Sequence, residues 1–133
     1  MNNIYTIESL NNLDLKIKTP CLIFLNWDLG SWKTTLTKHI LNDILWVNKQ
    51  ITSPTYTYYN KYNDIYHFDL YRLKSYDEFF SIWGEDILDN NDWVVIVEWP
   101  DLIKAYYKPD IEININKAEN DLEREFIIKN IAK

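Results

Sequence analysis

Residues 21–35 read Cys21-Leu22-Ile23-Phe24-Leu25-Asn26-Trp27-Asp28-Leu29-Gly30-Ser31-Trp32-Lys33-Thr34-Thr35, and the fold turns on them. Cys21 to Leu25 are apolar, short and without polar alternation, the pattern of a buried strand. A helix-like pattern starts at Lys33, with apolar residues at 36, 40, 41, 44 and 45 forming one face of an amphipathic helix. Between strand and helix, Trp27 to Thr34 has the length, the internal Gly30 and the Lys33-Thr34 ending of a phosphate-binding loop, G-x-x-x-x-G-K-[ST]. The two glycines that bracket that pattern are here Trp27 and Trp32.

Outward from the loop, residues 4–7 read as a short edge strand and 8–19 as a brief helix with spaced leucines. Beyond the helix, 53–59 is rich in aromatic and β-branched residues, and Asn63-Asp64 is a turn signal before Ile65 to Tyr71. These two runs predict a β-hairpin. Residues 76–88 predict a helix rich in acids and aromatics, and Trp93 to Val97 form a second unbroken apolar run, as in a covered parallel sheet. Two further strands are expected at Ile111 to Ile115 and Leu122 to Lys129. The whole of 1–133 reads as one α/β domain, with no linker, repeat or low-complexity segment.

Composition narrows the class. No apolar run approaches the roughly 20 residues of a membrane span, and Met1 to Tyr5 lack the basic and apolar regions of a signal peptide. Cys21 is the sole cysteine, which fits a reducing cytoplasm and a small core residue on a strand. The net charge of −6, from 14 basic and 20 acidic side chains, argues against a protein that coats nucleic acid through a basic face. A nucleotide held by backbone N–H groups and one lysine needs no such face.

In such a loop, Lys33 lies against the β and γ phosphates of a nucleotide and the Thr34 hydroxyl ligates Mg²⁺. Glu98, at the carboxyl end of the second apolar run, is the natural acidic metal partner. Asp69 is the other acid that a hairpin brings toward the γ phosphate. Each has a plainer reading: a solvated first turn for Lys33-Thr34-Thr35, strand-end charges for the acids. His39 and His67 read as surface or packing residues, because no second histidine or cysteine stands at metal spacing. The tyrosines at 56, 58, 59 and 62 read as sheet packing rather than base stacking.

Four segments together resemble one family. Trp27 to Thr35 is similar to the G-D-L-G-A-G-K-T-T loop of the bacterial TsaE family, the ATPases of tRNA threonylcarbamoyladenosine synthesis, and Ser53-Pro54-Thr55-Tyr56-Thr57 to its S-P-T-[FY]-T segment. Ile65 to Leu73 resembles its V-Y-H-F-D-L-Y-R-L signature and Val97-Glu98-Trp99-Pro100 its [IV]-E-W-[PA]; Arg124-Glu125 resembles its C-terminal R-E. The resemblance implies a P-loop NTPase-like α/β fold, a mainly parallel sheet flanked by helices with an added antiparallel hairpin. It implies a cytoplasmic, Mg²⁺-dependent ATPase that works with the two other protein components of the threonylcarbamoyl-transfer complex and meets tRNA only indirectly. ATP and Mg²⁺ would be held by Trp27, Asp28, Leu29, Gly30, Ser31, Trp32, Lys33, Thr34 and Thr35, with Thr55 sensing the γ phosphate. Thr34 and Glu98 would take the metal, and Asp69 and Glu98 the catalytic roles.

The tryptophans stand against that assignment. An indole at 32 is expected to occupy phosphate space, and one at 27 to strain the loop's entry. Trp46, Trp83 and Trp93 also fall where that family commonly carries glycine, and only Trp99 stands where it has tryptophan. The chain has six tryptophans and two glycines, where average usage gives roughly nine glycines. A UGA codon that specifies glycine, translated as tryptophan, explains both counts. If the tryptophans are genuine, the alternative is a pseudo-ATPase binding module of the same complex.

Overall fold

The structure, a computed structural model, describes residues 2–6, 8–27, 32–51 and 58–130. Seven strands form one sheet: β1 (Asn2–Thr6), β2 (Cys21–Trp27), β3 (Tyr59–Tyr62), β4 (Ile65–Asp69), β5 (Val94–Glu98), β6 (Ile111–Lys117) and β7 (Glu123–Asn130). Their order is β1-β7-β6-β2-β5-β4-β3. The four central strands, β6, β2, β5 and β4, run parallel. Antiparallel pairs flank them, the β3–β4 hairpin on one side and β6–β7–β1 on the other.

The apolar runs seen in the sequence are the sheet's middle. Side chains alternate across a strand, so Cys21, Ile23, Leu25, Val94 and Ile96 enter one core with Leu36, Ile40 and Leu41 of the first helix. Leu22, Phe24, Val95 and Val97 enter the other, with Phe79, Leu88 and Ile103. Burial on both faces is why β2 and β5 show no alternation, whereas β6 places Ile111, Ile113 and Ile115 inside and leaves Glu112 and Asn114 partly exposed. Polar bonds line the edges of these strands. The Asn26 amide donates to Glu112 Oε2 (3.0 Å) and Asn114 Oδ1 (2.8 Å), and the Leu22 N–H donates to Asp110 Oδ2 (2.8 Å).

The first helix, α1 (Lys33–Lys38), continues as a π-helical turn over His39–Ile44, where the Leu45 N–H reaches the Ile40 carbonyl at 2.9 Å. The helix expected over 8–19 is only a 3₁₀ turn, Ser9–Asn12, braced by reciprocal bonds between Thr6 and Ser9. Leu13 and Leu15 then bury as an extended chain, and the Leu13 carbonyl is taken by His39 Nε2 at 2.6 Å instead of by a helical N–H. Of the expected strand 53–59, residues 53–57 lie outside the described residues. The hairpin itself forms with Tyr62 opposite Ile65, around Asn63 in the left-handed region at φ 56°.

The helix expected over 76–88 is two, α2 (Tyr76–Ser81) and α3 (Gly84–Asp89). Ser75 caps α2 by accepting from the Glu78 N–H, and Glu78 Oε2 returns to the Lys74 N–H. The break falls at Trp83, whose φ is 67°, and at Gly84, where a β-carbon would lie 2.4 Å from the Phe79 ring. Two phenols fasten this layer. The Tyr76 hydroxyl donates to Glu85 (3.0 Å) and that of Tyr107 to Asp89 (2.9 Å). Burial first, then these hydrogen bonds to carboxylates, raises both phenol pKa values above the ordinary one.

Candidate functional site

Three parallel strands come level in one row, with Leu25 of β2 opposite Glu98 of β5 and Glu98 opposite Asp69 of β4, where β5 and β4 end. The backbone beyond the row is stitched together: Trp99 N–H to the Leu25 carbonyl (3.3 Å), Leu70 N–H to that of Glu98 (3.1 Å), and Asp69 N–H to that of Tyr58 (2.9 Å). The space past the carboxyl ends of parallel strands is where α/β sheets bind ligands. Strand β2 enters it at Trp27 and α1 leaves it at Lys33, the strand, loop and helix order that a phosphate loop requires.

Glu98 is 2% exposed, and His67, at 1%, meets its Oε2 through Nε2. A nitrogen that faces a carboxylate has to donate, so this pair offsets part of the desolvation of a buried acid. The other ring nitrogen, Nδ1, is buried without a partner. Asp69 is partly exposed, and its Oδ1 accepts from the Tyr71 N–H at 3.1 Å, a local turn that bends the chain away after β4. Trp99 follows Glu98 in the left-handed region (φ 56°), with its ring 5.0 Å from that of Tyr71.

At the other lip of the loop Trp32 caps α1 with right-handed backbone angles and is 3% exposed. Its indole lies edge-on to Phe126, with centroids 6.1 Å apart, and under the Arg124 guanidinium at 5.5 Å. The expectation that this indole fills phosphate space is therefore corrected. The ring is turned into the core, where burial of its large apolar surface is favourable. Thr35 is half-buried in the first turn of α1. Of Trp27, Lys33 and Thr34 the backbone alone is described, and Asp28, Leu29, Gly30, Ser31 and Thr55 lie outside the described residues.

Residues 3–126 match the family described as threonylcarbamoyl adenosine biosynthesis protein TsaE. The chain belongs to the TsaE family. A Rickettsia conorii protein named tRNA threonylcarbamoyladenosine biosynthesis protein TsaE is 34% identical over 119 residues, which is 86% of this chain and 67% of that one. A Haemophilus influenzae protein of the same name is 35% identical over 127 residues, 91% of this chain and 79% of that one. The fold is similar to the crystal structure of YdiB from Bacillus subtilis, with a TM-score of 0.64 and 26% identity over 99% of this chain and 86% of that one. The fold is accordingly the P-loop NTPase-like α/β class that the resemblance implies.

The TsaE-family chain thus sets Glu98 opposite Asp69 and places His67, a packing or surface residue on sequence alone, against Glu98. The spacing held half of the signal, since His67 and Asp69 are two apart on β4 and share a face; the register then sets His67 diagonal to the acid opposite Asp69. Among the described residues no group of three or more His, Cys, Asp or Glu is placed to hold a metal. Glu98 offers one carboxylate at the tip of β5, the donor chemistry that a Mg²⁺ ion would take together with water and phosphate oxygens.

Proposed function

We propose that this TsaE-family chain is a Mg²⁺-dependent ATPase supporting threonylcarbamoylation of adenosine 37 in tRNA. It acts in the cytoplasm with the two other protein components of the threonylcarbamoyl-transfer complex. The observation that carries the reading is the row Leu25, Glu98, Asp69: two carboxylates at the tips of β5 and β4, beside the strand that leads into the loop. Lys33 and the backbone N–H groups of 27–32 balance phosphate charge, Thr35 touches the α phosphate and Thr55 the γ phosphate. Thr34 and Glu98 would hold the metal, with the Glu98 carboxylate positioned by His67. Bound Mg²⁺ supplies charge neutralisation at the phosphoryl oxygens. Asp69, beside Glu98 but partly exposed, orients the attacking water.

The packing of Trp32 against Phe126 is what a genuine core tryptophan would show, and a genuine tryptophan at 27 and 32 carries a second reading, a pseudo-ATPase that docks on the same partners without hydrolysing nucleotide. Two measurements separate the readings. Nucleotide titration of the protein as written, beside one with Trp27→Gly and Trp32→Gly, is expected to give tight binding only in the second, because only glycine lets phosphate approach the main chain at both bracketing positions. Failure of both favours the binding module. In the glycine-containing protein with its partners, Asp69→Ala and Glu98→Ala are each expected to lower turnover about 100-fold or more. Unaltered turnover in both removes the assignments.

A further inference from the structure

Five described residues other than glycine have positive φ: Trp46 (61°), Tyr58 (66°), Asn63 (56°), Trp83 (67°) and Trp99 (56°). Three of them have a local reason. Asn63 occupies a two-residue hairpin turn, where asparagine tolerates the left-handed region. Tyr58 and Trp99 pack against the two cores.

Trp46 and Trp83 have none. They are 84% and 66% exposed, and neither ring has an aromatic partner among the described residues. Both stand just past a helix C-terminus. Trp83 follows α2 and returns its N–H to the Phe80 carbonyl at 3.1 Å, while Val47, after Trp46, closes on the Leu41 carbonyl at 2.8 Å. That is the position where a left-handed residue ends a helix and where glycine is preferred, because a β-carbon crowds the neighbouring carbonyl. An indole left in water gives no packing in return for that strain.

We infer that positions 46 and 83 are glycine in the protein as its own cells make it, and that a codon read here as tryptophan specifies glycine there. The same codon accounts for Trp27 and Trp32, the two bracketing positions of the phosphate-loop pattern, and for Trp93, 48% exposed just before β5. Trp99, which follows Glu98 at the site and whose ring packs on Tyr71, is the tryptophan that remains. The inference deepens the ATPase reading by restoring both loop glycines, but it does not rest on that reading.

Tandem mass spectrometry of the protein isolated from its source cells, set beside the gene, tests it. Glycine is expected at 27, 32, 46, 83 and 93, encoded by UGA, with tryptophan at 99 encoded by UGG. Tryptophan at 46 or 83 in the native peptides overturns the inference. A second measurement uses protein made as written: Trp46→Gly and Trp83→Gly are each expected to raise Tm by about 3 °C, while Trp46→Ala and Trp83→Ala do not. An equal rise in the alanine variants would trace the gain to loss of an exposed indole and defeat the backbone argument. Neither readout depends on ATP hydrolysis, so a failed ATPase reading leaves both tests intact.

Discussion

At the scale of single residues, the most constrained group in the site is Glu98, a carboxylate that is 2% exposed at the tip of β5. Removing one member of a buried pair takes a compensating donor from the other and raises the cost of its burial. His67→Ala is therefore expected to lower stability by about 3 kcal/mol, measured by urea denaturation. His67→Gln, which keeps a donor, should recover much of that loss. Under the proposed ATPase reading, and in the protein with glycine at 27 and 32, it should also return the Mg²⁺ concentration needed for half-maximal rate toward its value with His67 in place. Loss of stability without any change in Mg²⁺ requirement would make His67 a packing residue, as the sequence alone suggested. Glu98 was legible because it closes an unbroken apolar run, and Asp69 because it stands in the stretch Ile65 to Leu73 that resembles the family signature. His67 was not, because its importance lies in a diagonal contact between strands whose pairing the sequence leaves open.

At the scale of elements, the joint between α2 and α3 shows what periodicity misses. Residues 76–88 carry a helical pattern throughout, yet the chain turns at Trp83-Gly84, where the Phe79 ring requires a residue with no β-carbon. With tryptophan written at 83, half of that turn signal was hidden. The helix read over 8–19 failed for another reason: the Leu13 carbonyl is committed to a histidine 26 residues away, a tertiary bond with no local signature. The phenols that fasten α2, α3 and residues 100–107 give this layer a pH dependence. Their pKa values are raised in the fold above the ordinary 10.0, so their contribution is complete below that value and declines as the pH rises beyond it. Tyr76→Phe with Tyr107→Phe should flatten the fall of Tm between about pH 10 and pH 11. An unchanged slope would assign that fall to other groups.

At the scale of the molecule, one sheet separates two cores, and β2 and β5 are walls common to both. Backbone amides of these two strands should exchange with solvent most slowly, and those of the edge strands β1 and β3 fastest, by hydrogen–deuterium exchange. Comparable protection across all seven strands would show that the cores do not open separately. The central strands were the most legible part of the fold, since burial on both faces writes itself as an unbroken apolar run. That legibility carries an ambiguity, because a run apolar on every position does not penalise a shift of one residue against its neighbour. Polar groups at the strand ends remove it. Asn26 finds both Glu112 and Asn114 only when β2 and β6 are correctly aligned, and Glu98 reaches His67 only when β5 is aligned with β4. Slipped by one position, β5 would turn Glu98 into the opposite core and carry its carboxylate away from Asp69. The side chains proposed for chemistry are thus also index marks for assembly: a chain that misfolds out of step is penalised at the residues it would need to function.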